Sequence, residues 1–220
     1  MFGAAYWTSQ KVREGGGKGN TAFWVYTDGT TLIASHGALP NVYHFDSKAE
    51  VEDYIRSIGI PATYFLAGCY MSNFPGRFLR ETSPGKWTIA LPIPDSTRIP
   101  LIDIKNDTGK FVKAIFKKKD ATLGKRIYGA TAYYTPHSML EQLKEVYPGV
   151  KEVSFSELPS DVFKGMLGSG GAPEALQEEM LEMFEFFAGP EPGLGYYGGD
   201  SLDSSTAVRS LIGNFWPLPF

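Results

Sequence analysis

Apolar and polar positions alternate most informatively between Phe45 and Ala67. Ser47-Lys48-Ala49-Glu50 is spaced as a capping box. Val51, Tyr54, Ile55 and Ile58 then fall at i, i+3, i+4 and i+7, which predicts a helix with one apolar stripe, closed by Gly59. Pro61 cannot continue it, and Ala62-Thr63-Tyr64-Phe65-Leu66-Ala67 reads as a strand buried on both faces. Upstream, Ala22-Phe23-Trp24-Val25-Tyr26-Thr27 is a second strand, stopped by Asp28-Gly29. Strand, long connection, helix, strand predicts an α/β fold in which helices cover a parallel sheet.

The chain on either side has a different texture. Met1 to Trp7 is apolar and aromatic, as if a strand had been cut from something longer, and Gln10 to Asn20 is a polar, glycine-rich loop. After the central unit, Trp87 to Ile93 and Ile99 to Ile104 are short strand candidates. Asn106-Asp107-Thr108 offers caps for a helix carrying Phe111, Val112, Ile115 and Phe116. Ile127 to Tyr133 reads as one strand, Thr135-Pro136 as an N-cap with proline at the first helical position, and Val150 to Phe155 as another strand. A last helix from about Pro173 to Ala188 carries Leu176, Met180, Met183, Phe184 and Phe187 on one face, with Gly189-Pro190 as its stop. This half is expected to form a mixed α+β subdomain packed on the sheet.

Composition excludes several classes. In 220 residues, 43% hydrophobic and 20% charged is a globular balance, which rules out disorder, collagen and coiled coil. The 21 Lys+Arg against 24 Asp+Glu leave a formal charge of −3, so no strongly basic face is expected to grip a phosphate backbone directly. Cys69 is the sole cysteine, which excludes an internal disulfide and a cysteine-based zinc site. No secretory signal is visible, and the longest mostly apolar stretch, Ile58 to Met71, is broken by Gly59, Pro61 and Gly68. The expected location is the cytoplasm or nucleus, with no membrane partner.

Candidate chemistry is sparse. Gly17-Lys18-Gly19-Asn20-Thr21-Ala22 satisfies a G-x-G-x-x-A dinucleotide pattern in letters, but polar residues precede it and a strand follows it, so a flexible loop is the better reading. Lys48, placed in the first turn of the predicted helix, opposes the macrodipole there. It either meets a phosphate, a ribose hydroxyl or a carboxylate, or is a solvated lysine offset by Asp46, Glu50 and Asp53. His44 stands alone, with no second histidine to bind metal. Gly68-Cys69-Tyr70-Met71-Ser72-Asn73 follows a buried strand, where open parallel sheets bind ligands. It is either a cofactor loop using Tyr70 and Asn73 or a capped loop around a buried thiol. Asp103, Asp107 and Asp120 form no metal spacing, and Lys117 to Lys119 read as a solvated face.

Those residues resemble the NmrA-like family, a branch of the atypical short-chain dehydrogenase/reductases. The resemblance runs through Tyr43-His44-Phe45-Asp46-Ser47-Lys48-Ala49-Glu50-Val51-Glu52-Asp53-Tyr54-Ile55-Arg56, Gly59-Ile60-Pro61-Ala62-Thr63-Tyr64 and Gly68 to Phe74. It continues through Ile99 to Asp103, Asp107 to Val112 and Phe184 to Ser205, so it covers about residues 22 to 205. It implies a Rossmann-like parallel sheet, here truncated, with residues 1–80 as the remnant of an NAD(P)-binding domain and 81–220 as a smaller C-terminal subdomain for substrate or partner. Thr27, Lys48, Cys69, Tyr70 and Asn73 become the cofactor-binding residues, with NADP or NAD as cofactor. Where related enzymes resemble one another in a Tyr-x-x-x-Lys pair, this chain reads His44-x-x-x-Lys48. The resemblance thus makes Lys48 and His44 the catalytic candidates, but without the phenol that usually gives the proton, which favours binding over reduction.

The implied function is a redox-sensing regulator acting through a transcription factor or other protein partner, with no direct nucleic-acid contact, and forming a homo-oligomer. The alternative is an NAD(P)H-dependent reductase of small carbonyls, enals or quinones. Family members resemble a strand, a glycine-rich turn and a helix followed by further units, roughly eighty residues ahead of the position matching Met1. Without a glycine turn for the pyrophosphate, this chain alone is expected to bind NAD(P) weakly or not at all.

Overall fold

Strand β2 (Ala62–Ala67) is buried along its full length, and the architecture is arranged around it. The structure, a computed structural model, describes residues 38–189, Tyr196 and the backbone of 23–26. Strand β1 (Phe23–Tyr26) runs parallel to one edge of β2, with Val25 opposite Tyr64. Strand β7 (Arg126–Gly129) runs parallel to the other, with Phe65 opposite Ile127. Both faces of this sheet are covered, which is why β2 is a continuous apolar run and not an alternating one. Tyr64 and Leu66 join the main core, while Phe65 and Ala67 join a smaller cluster with Ile102, Phe111, Ile115 and Ile127. The expected α/β class and the parallel sheet are therefore present, as are both strand assignments at its centre.

Helix α1 (Tyr43–Ser57) precedes β2 in the chain, but it begins four residues before the predicted Ser47 start. Ser47 is thus inside the helix, the N-cap is Val42, and Lys48 sits in the second turn and not the first. Tertiary contacts make the early start possible. Val42 and Phe45 are buried, and partly buried N–H groups at the helix entrance are taken up by carboxylates from another helix. The buried face is Phe45, Ala49, Glu52 and Ile55. Tyr54 and Ile58, assigned to the apolar stripe, are 64% and 48% exposed.

The stripe misleads because a charged residue occupies the core face. Glu52 is 1% exposed and accepts from Arg56 Nε at 2.8 Å and Arg126 Nε at 2.9 Å, so both arginines neutralise it where α1 meets β7. Arg56 also lies over the Tyr64 ring at 4.1 Å. Gly59 ends the helix as expected, at φ +68°.

Beyond β2 the chain crosses into a second sheet through Gly68. Here a Cβ would lie 2.6 Å from the Pro100 carbonyl oxygen, so only glycine allows the two backbones to meet. Strand β3 (Cys69–Tyr70) pairs parallel with β6 (Ile99–Ile102), which pairs antiparallel with β8 (Ala132–Tyr134). The single strand expected over Ile127 to Tyr133 is therefore two strands in different sheets. The break falls where the Thr131 N–H turns to the Leu101 carbonyl at 2.7 Å. A third sheet holds β4 (Leu79–Ser83), β5 (Lys86–Leu91) and β9 (Glu152–Glu157). Strand β4 is mostly polar and exposed, so it carries no hydrophobic signature.

The helices of this half are α2 (Ile104–Lys117), α3 (Lys119–Thr122), α4 (Pro136–Val146), α5 (Ser160–Ser169) and α6 (Glu174–Ala188). Helix α2 starts before the expected Asn106–Thr108 caps, because Asp103 accepts from the N–H groups of Lys105 and Asn106, each at 3.1 Å. The Asn106 side chain, with these backbone groups, holds the Asp103 carboxyl below the usual aspartate range. Helix α4 has its expected Thr135 cap and Pro136 start, with a reciprocal Thr135–Ser138 box. Helix α6 matches its expected span. Its aromatic face reaches the middle of the main core, where Phe184 meets Phe78 edge-on at 5.0 Å and Phe163 at 5.6 Å.

Candidate functional site

The C-terminal end of β2 opens on a cavity of about 470 Å³, the position at which open parallel sheets bind ligands. Three pieces of chain, with Tyr196, enclose it. Helix α1 contributes His44 and Lys48, four residues apart and so on one face. The segment after β2 contributes Gly68, Cys69, Tyr70, Ser72 and Asn73, then Pro75, Arg77 and Phe78. Helix α6 contributes Leu176, Glu179, Met180 and Met183, the i, i+3, i+4 and i+7 positions of one helical face. Tyr196 closes the floor, with its ring 5.0 Å from Phe187 and 5.4 Å from Phe45, and its hydroxyl donates to the Ala67 carbonyl.

His44, Lys48, Cys69, Tyr70 and Asn73, distant in sequence, are therefore brought to one cavity. Thr27 lies outside the described residues, as do the glycine-rich loop of Gln10 to Asn20 and the strand of Met1 to Trp7. Lys48 reaches the cavity from the second turn of α1, so it does not oppose the macrodipole as a first-turn cation would. Cys69 is half-buried in β3 and not part of a loop, and burial pushes the Tyr70 phenol above its usual range, leaving it a hydrogen-bond donor at neutral pH. Asn73 is exposed at the end of a 3₁₀ turn (Met71–Asn73).

His44 is the residue whose surroundings the sequence concealed. The same Glu179 oxygen accepts its backbone N–H at 2.9 Å and lies 2.6 Å from its ring Nδ1. One turn further along α6, Glu182 accepts the Asn41 backbone N–H at 2.6 Å and its side-chain amide. Two carboxylates of α6 thus cap α1, placing negative charge where the helix dipole is positive. Neither glutamate was a candidate by sequence. The available signal was their i, i+3 spacing beside Met180 and Met183, which puts both at the border of the apolar face. Arg77 was also missed; with Lys48 it gives the cavity two cations against the Glu179 carboxylate. Among the described residues no group of three or more His, Cys, Asp or Glu could hold a metal, and no helix is long and apolar enough to cross a membrane.

The acidic side of α6 carries a pH dependence. Burial raises the Glu185 carboxyl above the usual glutamate range, and the neighbouring charges of Glu182 and Glu178 raise it further. A carboxyl that binds its proton more tightly folded than unfolded favours the fold at low pH. That contribution is lost as pH rises from the ordinary glutamate value through the raised one. Glu185→Gln is therefore expected to raise the urea midpoint at neutral pH and leave it nearly unchanged at acid pH; an equal shift at both contradicts this.

A model of the NmrA-like family matches residues 29–210. The nitrogen metabolite repression protein nmr of Neurospora crassa is 29% identical over 206 residues, covering 88% of this chain and 40% of that protein. Among solved structures, NmrA, a negative transcriptional regulator, in complex with NADP superposes with a TM-score of 0.65 at 19% identity, covering 86% of this chain and 59% of that one. An NADPH-dependent quinone oxidoreductase from Escherichia coli complexed with NADPH gives a TM-score of 0.61 at 18% identity, with 87% and 60% covered. The chain thus spans two fifths of the Neurospora relative's length and about three fifths of the solved structures. At these identities the superpositions establish the Rossmann-like fold.

Proposed function

The chain belongs to the NmrA-like family, and from that premise we propose that its cavity receives the nicotinamide end of NAD or NADP and that the protein acts as a dinucleotide-responsive regulator through protein partners. The observation that carries this reading is the meeting of Lys48, from α1, with Tyr70 and Asn73, from the segment leaving β2, around one cavity at the carboxyl end of the sheet. An ammonium group suits ribose hydroxyls or a nearby phosphate, while the amide and phenol suit a carboxamide. The apolar walls of Met180, Met183 and Phe78 suit a flat ring. The regulatory side is supported by the nitrogen metabolite repression role of the Neurospora relative and by NmrA being a negative transcriptional regulator. The partner is a protein, such as a transcription factor.

Reduction is the second reading, favoured by the likeness to the quinone oxidoreductase and by an imidazole standing four residues before Lys48. It would use Lys48 and His44 on a small carbonyl, enal or quinone. We place it second because the tyrosine that gives the proton in related enzymes is replaced here.

The described contacts serve one end of a dinucleotide, so we expect the 220-residue chain to bind NADPH with a dissociation constant weaker than about 10 µM. Lys48→Ala is expected to weaken it roughly tenfold further, the worth of one charge-assisted contact. Titration calorimetry and NMR titration measure both. Affinity unchanged in Lys48→Ala would remove the nicotinamide reading. Steady NADPH oxidation with quinones or enals would promote the enzymatic one.

A further inference from the structure

The pairing of His44 with Glu179 decides what kind of hydrogen bond this corner of the cavity can make. A carboxylate accepts and does not donate, so the 2.6 Å contact to Nδ1 requires the proton to be on that nitrogen. The backbone N–H of His44 donates to the same oxygen, which fixes the carboxylate against the helix entrance and leaves little freedom to the ring. Phe45 lies against the imidazole with centroids 4.2 Å apart, limiting rotation from the other side. Among the described residues Nε2, on the opposite edge of the ring, has no partner, and His44 lines the cavity.

We propose that Glu179 is a positioning residue that acts through His44, keeping a proton on Nδ1 so that, in the neutral ring, Nε2 is the acceptor left for the cavity. At this point the site takes a hydroxyl or N–H of its ligand. It does not donate to a ligand carbonyl, as a phenol would. The replacement of tyrosine by His44 is then a reversal of hydrogen-bond polarity, achieved by a residue of α6 about 135 positions away in sequence. That the ligand group belongs to a dinucleotide rests on the reading given under Proposed function; the state of the ring does not.

Nitrogen-15 NMR of histidine-labelled protein in mildly alkaline buffer tests this, with the His44 signals assigned by their loss in His44→Gln. The expected wild-type spectrum shows Nδ1 protonated and Nε2 bare, against the preference of free histidine for the opposite tautomer. Glu179→Gln, whose amide oxygen still accepts, should keep that pattern, and Glu179→Leu should lose it. On adding NADPH, the Nε2 resonance should move in the wild type and in Glu179→Gln, with the apparent affinity about tenfold weaker in Glu179→Leu. A proton on Nε2 in the wild type overturns the proposal without any variant. So does a Glu179→Leu spectrum like that of the wild type, or NADPH binding that leaves Nε2 unmoved. An Nδ1-protonated ring that Glu179→Leu releases, in a protein that takes up no NADPH, would uphold the positioning role and show that this chain alone does not take the dinucleotide.

Discussion

Phe184→Ala is expected to destabilise the protein by about 3–5 kcal/mol, the range for truncating a buried aromatic residue in a core that cannot collapse around the gap. The ring is 1% exposed. It stands edge-on to Phe78 at 5.0 Å and to Phe163 at 5.6 Å, with Phe187 at 6.1 Å. Those partners come from three pieces of chain, the turn before β4, helix α5 and helix α6 itself. Truncation therefore loosens the contacts that fix α6 against the rest of the molecule. Phe184 also lines the cavity, so the void left by the ring would open into it. Urea denaturation of wild type and variant, with equal slopes, would give the difference directly. A loss below about 1 kcal/mol would mean that the neighbouring rings fill the space and that this contact is not the centre of the core. Phe184→Leu, which keeps most of the apolar volume, should recover part of the loss.

How far the sequence could be read depended on whether a residue's partner lay nearby in the chain. Strand β2 was legible because β-branched and aromatic residues between a proline and a glycine need no distant information to be recognised. The start of α4 was legible for the same reason, since Thr135, Pro136 and Ser138 complete the cap among themselves. Helix α6 declared itself through an apolar face long enough to survive local exceptions. Helix α1 did not. Its entrance is capped from α6, and its buried face contains Glu52, whose charge is balanced by an arginine on β7. A reading confined to i, i+3 and i+4 therefore placed both the start and the stripe wrongly. The cavity shows the same division. Tyr70 and Asn73 became candidates through the strand-then-loop rule, and Lys48 through its place on the predicted helix and a family resemblance; the structure brings the three to one cavity. Glu179 and Arg77 in the cavity, and Glu182 beside it at the entrance of α1, were missed because each acquires its meaning only from a neighbour that folding supplies.

Glu182→Ala should couple these two levels, costing about 2–3 kcal/mol of stability and weakening the NADPH binding proposed for the cavity at the same time. Glu182 is 7% exposed, and its carboxylate accepts from both the backbone and the side chain of Asn41, one residue before the Val42 cap of α1. Removing it takes the charged partner from two Asn41 donors at a partly buried helix entrance, a larger loss than that of a fully exposed ion pair, where water substitutes freely. The cost is held below that of two full charge-assisted bonds because Glu182 also repels Glu185, a repulsion the variant relieves. Glu182→Gln should lose much less, since an amide oxygen can still take the Asn41 backbone proton. The consequence for the cavity follows from geometry: the helix end released by the variant carries His44 in its first turn and Lys48 in its second. Hydrogen exchange at the amides of 41–46 should rise in Glu182→Ala at denaturant concentrations where global unfolding is negligible, and NADPH affinity should fall with it. If stability dropped while exchange at these amides and NADPH affinity stayed at wild-type values, the clamp of α6 on α1 would be structural support only, with no hold on the site.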